Sequence, residues 1–165
     1  MQEKKGTAKV VGKVPEDIEK RALITLYKYL PSRSEQIAAA RAWGIRELLF
    51  DGEDISAVLI EDVSKVRTTN WAPKLPLRRA LMADFNTGKC NNHVVFFANP
   101  LCLGWTEALA KELSSAILSG GGGIYIHDMS RLYKQGDELD ALWSEWQRQL
   151  TNATQADYRQ RRRSK

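Results

Sequence analysis

Histidine and cysteine are scarce in this chain: His93, His127, Cys90 and Cys102 are all that 165 residues contain. The two cysteines form no metal-ligand spacing, and thiols so few in a chain of this kind are expected to stay reduced, as in the cytoplasm. A nucleophilic thiol needs a base beside it. Cys102 follows Pro100 near a strand end, whereas His93 opens a strand at the opposite edge, so Cys102 is expected to be a buried structural residue. Long apolar runs are missing as well. No stretch approaches a membrane span and no secretory leader is expected, so membrane partners are not expected and a cytoplasmic location is. Internal repeats are absent too.

Over residues 1–146 acidic and basic groups balance, and the excess positive charge sits at one end. The chain carries a formal charge of +5, and residues 147–165 hold all of it: Arg148, Arg159, Arg161, Arg162, Arg163 and Lys165 stand against Asp157 alone. A balanced body with a basic end fits an anionic partner, DNA above all, and it also fits a solvated terminus. Arginines at a helix end pair with phosphates and position a protein without giving much sequence specificity.

What is present is an ordinary globular composition, 43% hydrophobic and 27% charged, in a chain long enough for one domain with a substantial core. The clearest stretch runs from His93 to Asp128. Val94 to Phe97 is continuous and apolar, the pattern of a strand buried on both faces. Leu109, Leu113, Ala116 and Ile117 then share one helical face, with Glu107, Lys111, Glu112 and Ser115 largely on the other. Thr106 and Glu107 suit the helix start, the glycines from Gly120 its end, and Ile124 to Ile126 a second short strand. This is a βαβ unit with parallel strands and a right-handed crossover.

Around it, residues 1–20 read as a flexible basic arm, 21–136 as an α/β core domain and 137–165 as a long amphipathic helix with a basic tail. Ala22 to Leu30 is the expected first strand, ended by Pro31. A helix capped by Ser32 or Ser34 follows and stops at Gly44, and Arg46 to Asp51 is the expected second strand. Residues 55–75 suggest an irregular strand and a loop. Leu77 to Phe85 is helical, and MSRLYKQG after Asp128 reads as a short connection. The last helix, from about Asp137, carries Leu139, Leu142, Trp143, Trp146 and Leu150 in one stripe. Such a stripe suits packing on its own domain or an interface, with a second subunit or with a different protein. The expected architecture is a three-layer α/β sandwich with a mainly parallel sheet and a long C-terminal helix.

The order and lengths of these segments resemble the catalytic domain of serine recombinases, the resolvase and invertase family, over about residues 22–160. SEQIAAARAWGIRELLFD is similar to that family's first helix and second strand, and LRRALMADFNTG to its next helix and turn. HVVFFANPLCLGWTEALAKELSSAILSGGGGIYIHD is similar to the central strand, helix and strand. Glu138 to Arg163 resembles the long helix that dimerises subunits and runs its basic end along DNA. The chain departs from the family where the chemistry lies. Aligned through Gln36, Thr25 stands where the family has an arginine and Tyr27 where it has the nucleophilic serine. Ser32 and Ser34 lie past Pro31, as caps. The family's Asp-Arg-Leu-x-Arg pattern is replaced by Asn99-Pro100-Leu101-Cys102-Leu103-Gly104-Trp105, with no arginine. Serine attack on a phosphodiester needs cations around the pentavalent phosphate, so strand cleavage is not expected. No catalytic residue and no cofactor is therefore assigned, and a separate helix-turn-helix module is not expected after the long helix. The resemblance implies a resolvase-like, catalytically degenerate DNA-associated accessory or regulatory protein, a homodimer, of a mobile element such as a plasmid or phage.

A second reading is enzymatic. Open α/β sheets carry their sites beyond the C-terminal strand ends. Tyr27, Lys28, Asn99, the acidic turn Asp51, Glu53 and Asp54, and His127 with Asp128 belong there. The acidic groups and His127 could hold Mg²⁺ or another hard cation for a phosphodiesterase or nuclease, or be a polar turn and a strand cap. SGGGG at 119–123 follows a helix instead of preceding one, so it terminates that helix and is no phosphate loop.

Overall fold

Strands Glu19–Leu26 (β1), Val58–Asp62 (β2), His93–Phe97 (β3), Gly123–Ile126 (β4) and Arg131–Lys134 (β5) form one sheet in the order β2-β1-β3-β4-β5. They belong to a computed structural model that describes residues 19–27, 30–45, 58–62 and 75–163. β2, β1, β3 and β4 run parallel and β5 runs antiparallel to β4. Helices Arg33–Trp43 (α1), Pro76–Asn86 (α2) and Glu107–Ser119 (α3) cover both sides of the sheet, and Asp140–Arg163 (α4) follows it. The architecture is therefore α/β.

The central unit forms as its pattern dictates. Val94 to Phe97 are all buried and pair in register with Gly123 to Ile126. Thr106 caps α3 by accepting the N–H of Leu109, and the helix buries Leu109, Leu113, Ala116 and Ile117. The glycine run after it is required by crowding. A Cβ on Gly120 would lie 2.5 Å from the Phe85 carbonyl oxygen, and one on Gly122 would lie 2.2 Å from the Phe85 ring. The turn thus seats itself against the end of α2.

Other segments differ from the sequence reading. β1 runs Glu19–Leu26 in place of Ala22 to Leu30, because its first residues pair with His93 to Phe96 and the chain turns after Leu26, with Leu30 N–H donating to the Tyr27 carbonyl. The expected second strand, Arg46 to Asp51, lies outside the described residues. On its edge away from β3, β1 pairs with Val58–Asp62, inside the stretch that suggested an irregular strand. The expected connection after Asp128 is strand β5, reached through a tight turn with Ser130 in the left-handed region at φ 51°. α4 begins at Asp140, later than Asp137. The Asp137 carboxylate accepts the Lys134 N–H at 2.7 Å and closes the turn before the helix. Of the expected arm at 1–20, residues 1–18 lie outside the described residues, and Glu19 and Lys20 are in β1.

α1 starts where expected. Ser32 forms a capping box with Glu35, and the helix ends at Gly44, at φ 121°. Trp43 stacks on Tyr125, with ring centroids 4.9 Å apart, and lies 5.6 Å from Phe96, so α1 covers the face bearing Phe96 and Tyr125. By the alternation of a strand, Val95, Phe97, Ile124 and Ile126 point to the other face. All four are 0% exposed.

Candidate nucleic-acid interface

The C-terminal ends of β1 and β3 are where this fold would carry a site, and there a buried polar network joins the described residues. After Asn99, residues Pro100–Leu103 form a short 3-10 turn that is buried throughout. Asn99 caps it, its Oδ1 accepting the Cys102 N–H at 3.3 Å. Gln36, inside α1, then reaches the end of β1. Its Nε2 donates to the carbonyls of Thr25 and Pro31, each at 2.8 Å, and its Oε1 accepts the Thr25 N–H at 3.2 Å. The Thr25 hydroxyl donates to the Cys102 carbonyl at 3.1 Å. From α2, the guanidinium of Arg78 donates to the carbonyls of Leu103 and Cys102. Thr25, Gln36, Arg78 and Cys102 are all 0% exposed.

This network holds the backbone of the strand ends, and its four side chains have no accessible surface. Cys102 is a buried free thiol, as expected, and burial pushes its pKa up to about 12. Tyr27, aligned with the family's nucleophile, packs its ring against Trp105 with centroids 3.8 Å apart, over Leu75 and Leu109. Thr25, aligned with the family's arginine, is the buried hydroxyl that ties β1 to the 3-10 turn. Sequence reasoning passed over Gln36 and Arg78, although a signal was there. Arg78 shares a helical stripe with Leu81 and Phe85, and Gln36 shares one with Ala40 and Trp43.

The acidic candidates divide. Lys28 and the turn Asp51, Glu53 and Asp54 lie outside the described residues. His127 and Asp128 sit past β4, in a short 3-10 turn where the Asp128 N–H donates to the Ala98 carbonyl at 3.1 Å. The His127 ring lies 5.5 Å from Phe96, beside Tyr125. Among the described residues, no three His, Cys, Asp or Glu side chains are grouped to hold a metal. Instead, Asp128 meets α4. Gln149 Nε2 donates to Asp128 Oδ2 at 3.0 Å and to Glu145 Oε2 at 2.8 Å, while Arg148 donates from Nε and Nη2 to the Glu145 carboxylate. Burial raises the Asp128 pKa despite the Gln149 hydrogen bond. The hydrogen bonds from Arg148 and Gln149 lower that of Glu145.

α4 has two halves. Leu142, at 0% exposure, and Trp146, at 3%, lie in the core of this chain, and the Trp146 indole donates to the Gly104 carbonyl at 2.9 Å. Leu139, Trp143 and Leu150 pack partly buried against the same core. The stripe expected either to pack or to form an interface thus spends Leu142 and Trp146 on its own domain, and a side chain without accessible surface has none to offer a partner. After Leu150 the helix leaves the domain. Apart from the half-buried Ala153, the residues whose burial is described from Thr151 to Arg163 are exposed. They make a rod about 20 Å long. Arg159, Arg161, Arg162 and Arg163 are exposed on it, with the Arg162 guanidinium 5.8 Å from the Tyr158 ring. Lys165 lies outside the described residues. Cations at the C-terminal end suit the helix dipole. Among the described residues no helix is long and apolar enough to cross a membrane.

No family model, no curated protein and no solved structure matches the chain.

Proposed function

We propose that this protein is a catalytically degenerate, serine-recombinase-like DNA-associated factor, a dimer acting as an accessory or regulatory component of a mobile element. The observation that carries the reading is the projecting half of α4. It is an exposed helical rod bearing Arg159, Arg161, Arg162 and Arg163, in a chain whose excess charge lies entirely at that end. Its exposed side chains are mostly polar, and like charges one turn apart repel. Phosphates alongside would neutralise that repulsion and release counterions from the nucleic acid. Tyr27 and Thr25, locked into packing and hydrogen bonding at the positions aligned with the recombinase serine and arginine, support the loss of cleavage chemistry.

The contacts such a rod makes are to backbone phosphates, so binding is salt-sensitive and weakly selective for sequence. The test is duplex DNA binding at two salt concentrations by the full chain, a chain ending at Leu150, and a full-length chain with the four arginines changed to glutamine. Circular dichroism confirms that each is folded. Salt-sensitive binding by the full chain alone supports the proposal. Equal binding by all three, or by none, overturns it.

A further inference from the structure

The projecting half of α4 presents one aromatic ring among its cations. Tyr158 is 61% exposed, the exposed large hydrophobic side chain among the described residues. It stands about 12 Å along the helix beyond Leu150, which packs on the core. The Arg162 guanidinium lies 5.8 Å from the ring centroid, a cation–π contact from the next turn. Tyr158 keeps its exposure with that contact made, so the ring is held and still open to a second flat group. At about 100° per residue, Arg162 sits about 40° around the helix from Tyr158, and Arg159 and Arg163 about 100° and 140°. All three arginines are exposed. Arg161, which has a partner within the chain, takes no part.

The other aromatic rings of α4 are already occupied. Trp146 is buried, and Trp143 is half-buried with Lys111 Nζ 5.5 Å from its ring. Asp140 and Glu145 also put acids on the anchored half, so an anion is favoured on the projecting half. A flat ring beside three cations fits a nucleotide, with the base on the ring and phosphates on the guanidiniums. Magnitudes decide which nucleotide. Stacking one base on an aromatic ring strengthens binding about five- to 150-fold. In an intact duplex each base is covered by its neighbours, and unstacking a step costs as much or more. Stacking on Tyr158 thus gains nothing from an intact duplex and gains in full where a base is already unpaired.

We propose that Tyr158 is a stacking site for an unpaired base, with Arg159 and Arg163 on the flanking phosphates, so that the protein prefers duplex DNA carrying a bulged base to intact duplex. The inference rests on the nucleic-acid reading above and adds to it the kind of DNA that the arm selects. Every base has a face to stack, so the preference is for the unpaired state and not for a sequence. Arg162 stays with the ring and sets a cation beside the stacked base.

The test compares full-length chains on a labelled duplex and on the same duplex with one bulged base, at one salt concentration. The wild type binds the bulged duplex at least about fivefold more tightly. Tyr158→Ala brings the two affinities together, and Tyr158→Phe, which keeps the ring, keeps the difference. Arg159→Gln with Arg163→Gln weakens binding to both duplexes by the same factor, because phosphates flank the site in each. A fluorescent purine analogue placed as the bulged base is quenched on binding the wild type and Tyr158→Phe, and not on binding Tyr158→Ala. Circular dichroism confirms that each chain is folded. Equal wild-type affinity for the two duplexes, or a preference that survives in Tyr158→Ala, overturns the stacking site while the nucleic-acid reading stands. Binding to neither duplex overturns both.

Discussion

The indole N–H of Trp146 donates to the carbonyl oxygen of Gly104 across 2.9 Å, and this bond ties α4 to the turn that closes the strand ends. Gly104 has no room to vary. A Cβ there would lie 2.3 Å from the Ala110 amide nitrogen. Trp146 is 3% exposed, so its ring and its N–H are both committed to the domain.

Trp146→Phe keeps most of the apolar area and leaves the Gly104 carbonyl without its donor, for an expected loss of about 1–3 kcal/mol. Trp146→Ala adds a cavity and is expected to lose about 3–5 kcal/mol. Urea unfolding monitored by circular dichroism measures both: no loss in Trp146→Phe would mean that the hydrogen bond contributes nothing, and equal losses would mean that the cavity adds nothing.

Asp128, though exposed at the surface, has its pKa raised in the fold, chiefly because its carboxylate loses part of its solvation. The native state then holds a proton that the unfolded chain has already released. In the window between the ordinary carboxylate pKa and the raised one, stability falls as pH rises. Asp128→Asn keeps an acceptor for Gln149 and removes that term. Its stability profile is expected to lie above the wild type at neutral pH and to be flatter across the window. Glu145, with its pKa lowered by Arg148 and Gln149, contributes the opposite slope and remains in the variant.

Cys102, its pKa at about 12, stays protonated at neutral and mildly alkaline pH. Cys90 is also buried, and burial raises its pKa. Neither thiol is expected to react with a thiol reagent at pH 8 in the native protein, and both are expected to react in denaturant. Mass spectrometry of the labelled chain reads this directly. Native labelling of Cys102 would show that the strand-end network opens.

For duplex binding, each phosphate contact removed lowers the slope of log affinity against log salt by about 0.9. Arg159→Gln with Arg163→Gln is therefore expected to flatten it by about 1.8 if both contact phosphate. The loss is expected to be uniform across DNA sequences. A titration series at four salt concentrations, on two unrelated duplexes, tests both statements.

The parts of the fold that could be read in advance are those where one pattern admits one structure. Val94 to Phe97 is too short and too apolar for anything but a buried strand, and Thr106 with the run from Gly120 brackets α3. β5 was illegible because Arg131 to Lys134 is a four-residue edge strand with a charge at each end, which looks like a loop. β1 was placed late because its start is fixed by pairing with β3, a long-range contact that composition does not record. The α4 stripe was legible as a stripe. Its partner was not, since Leu142 and Trp146 would look the same facing their own domain or another. Among the strand-end groups, Tyr27, Asn99, His127 and Asp128 lie past the ends of their strands as expected, and Lys28 and the acidic turn lie outside the described residues. The buried Arg78 and Gln36 were missed because a polar residue on an apolar stripe reads as an interruption until its acceptors are known.

The joint of Asp128, Gln149 and Glu145 sits where α4 leaves the domain, at the base of a lever-shaped arm. The arm beyond it is about 20 Å long, so a tilt of only about 10° at Leu150 carries Arg163 through roughly 3.5 Å. That is close to the 3.4 Å between successive phosphates of one strand along the axis of duplex DNA. A displacement too small to disturb the packing of Leu142 and Trp146 would shift the outermost guanidinium by one nucleotide step.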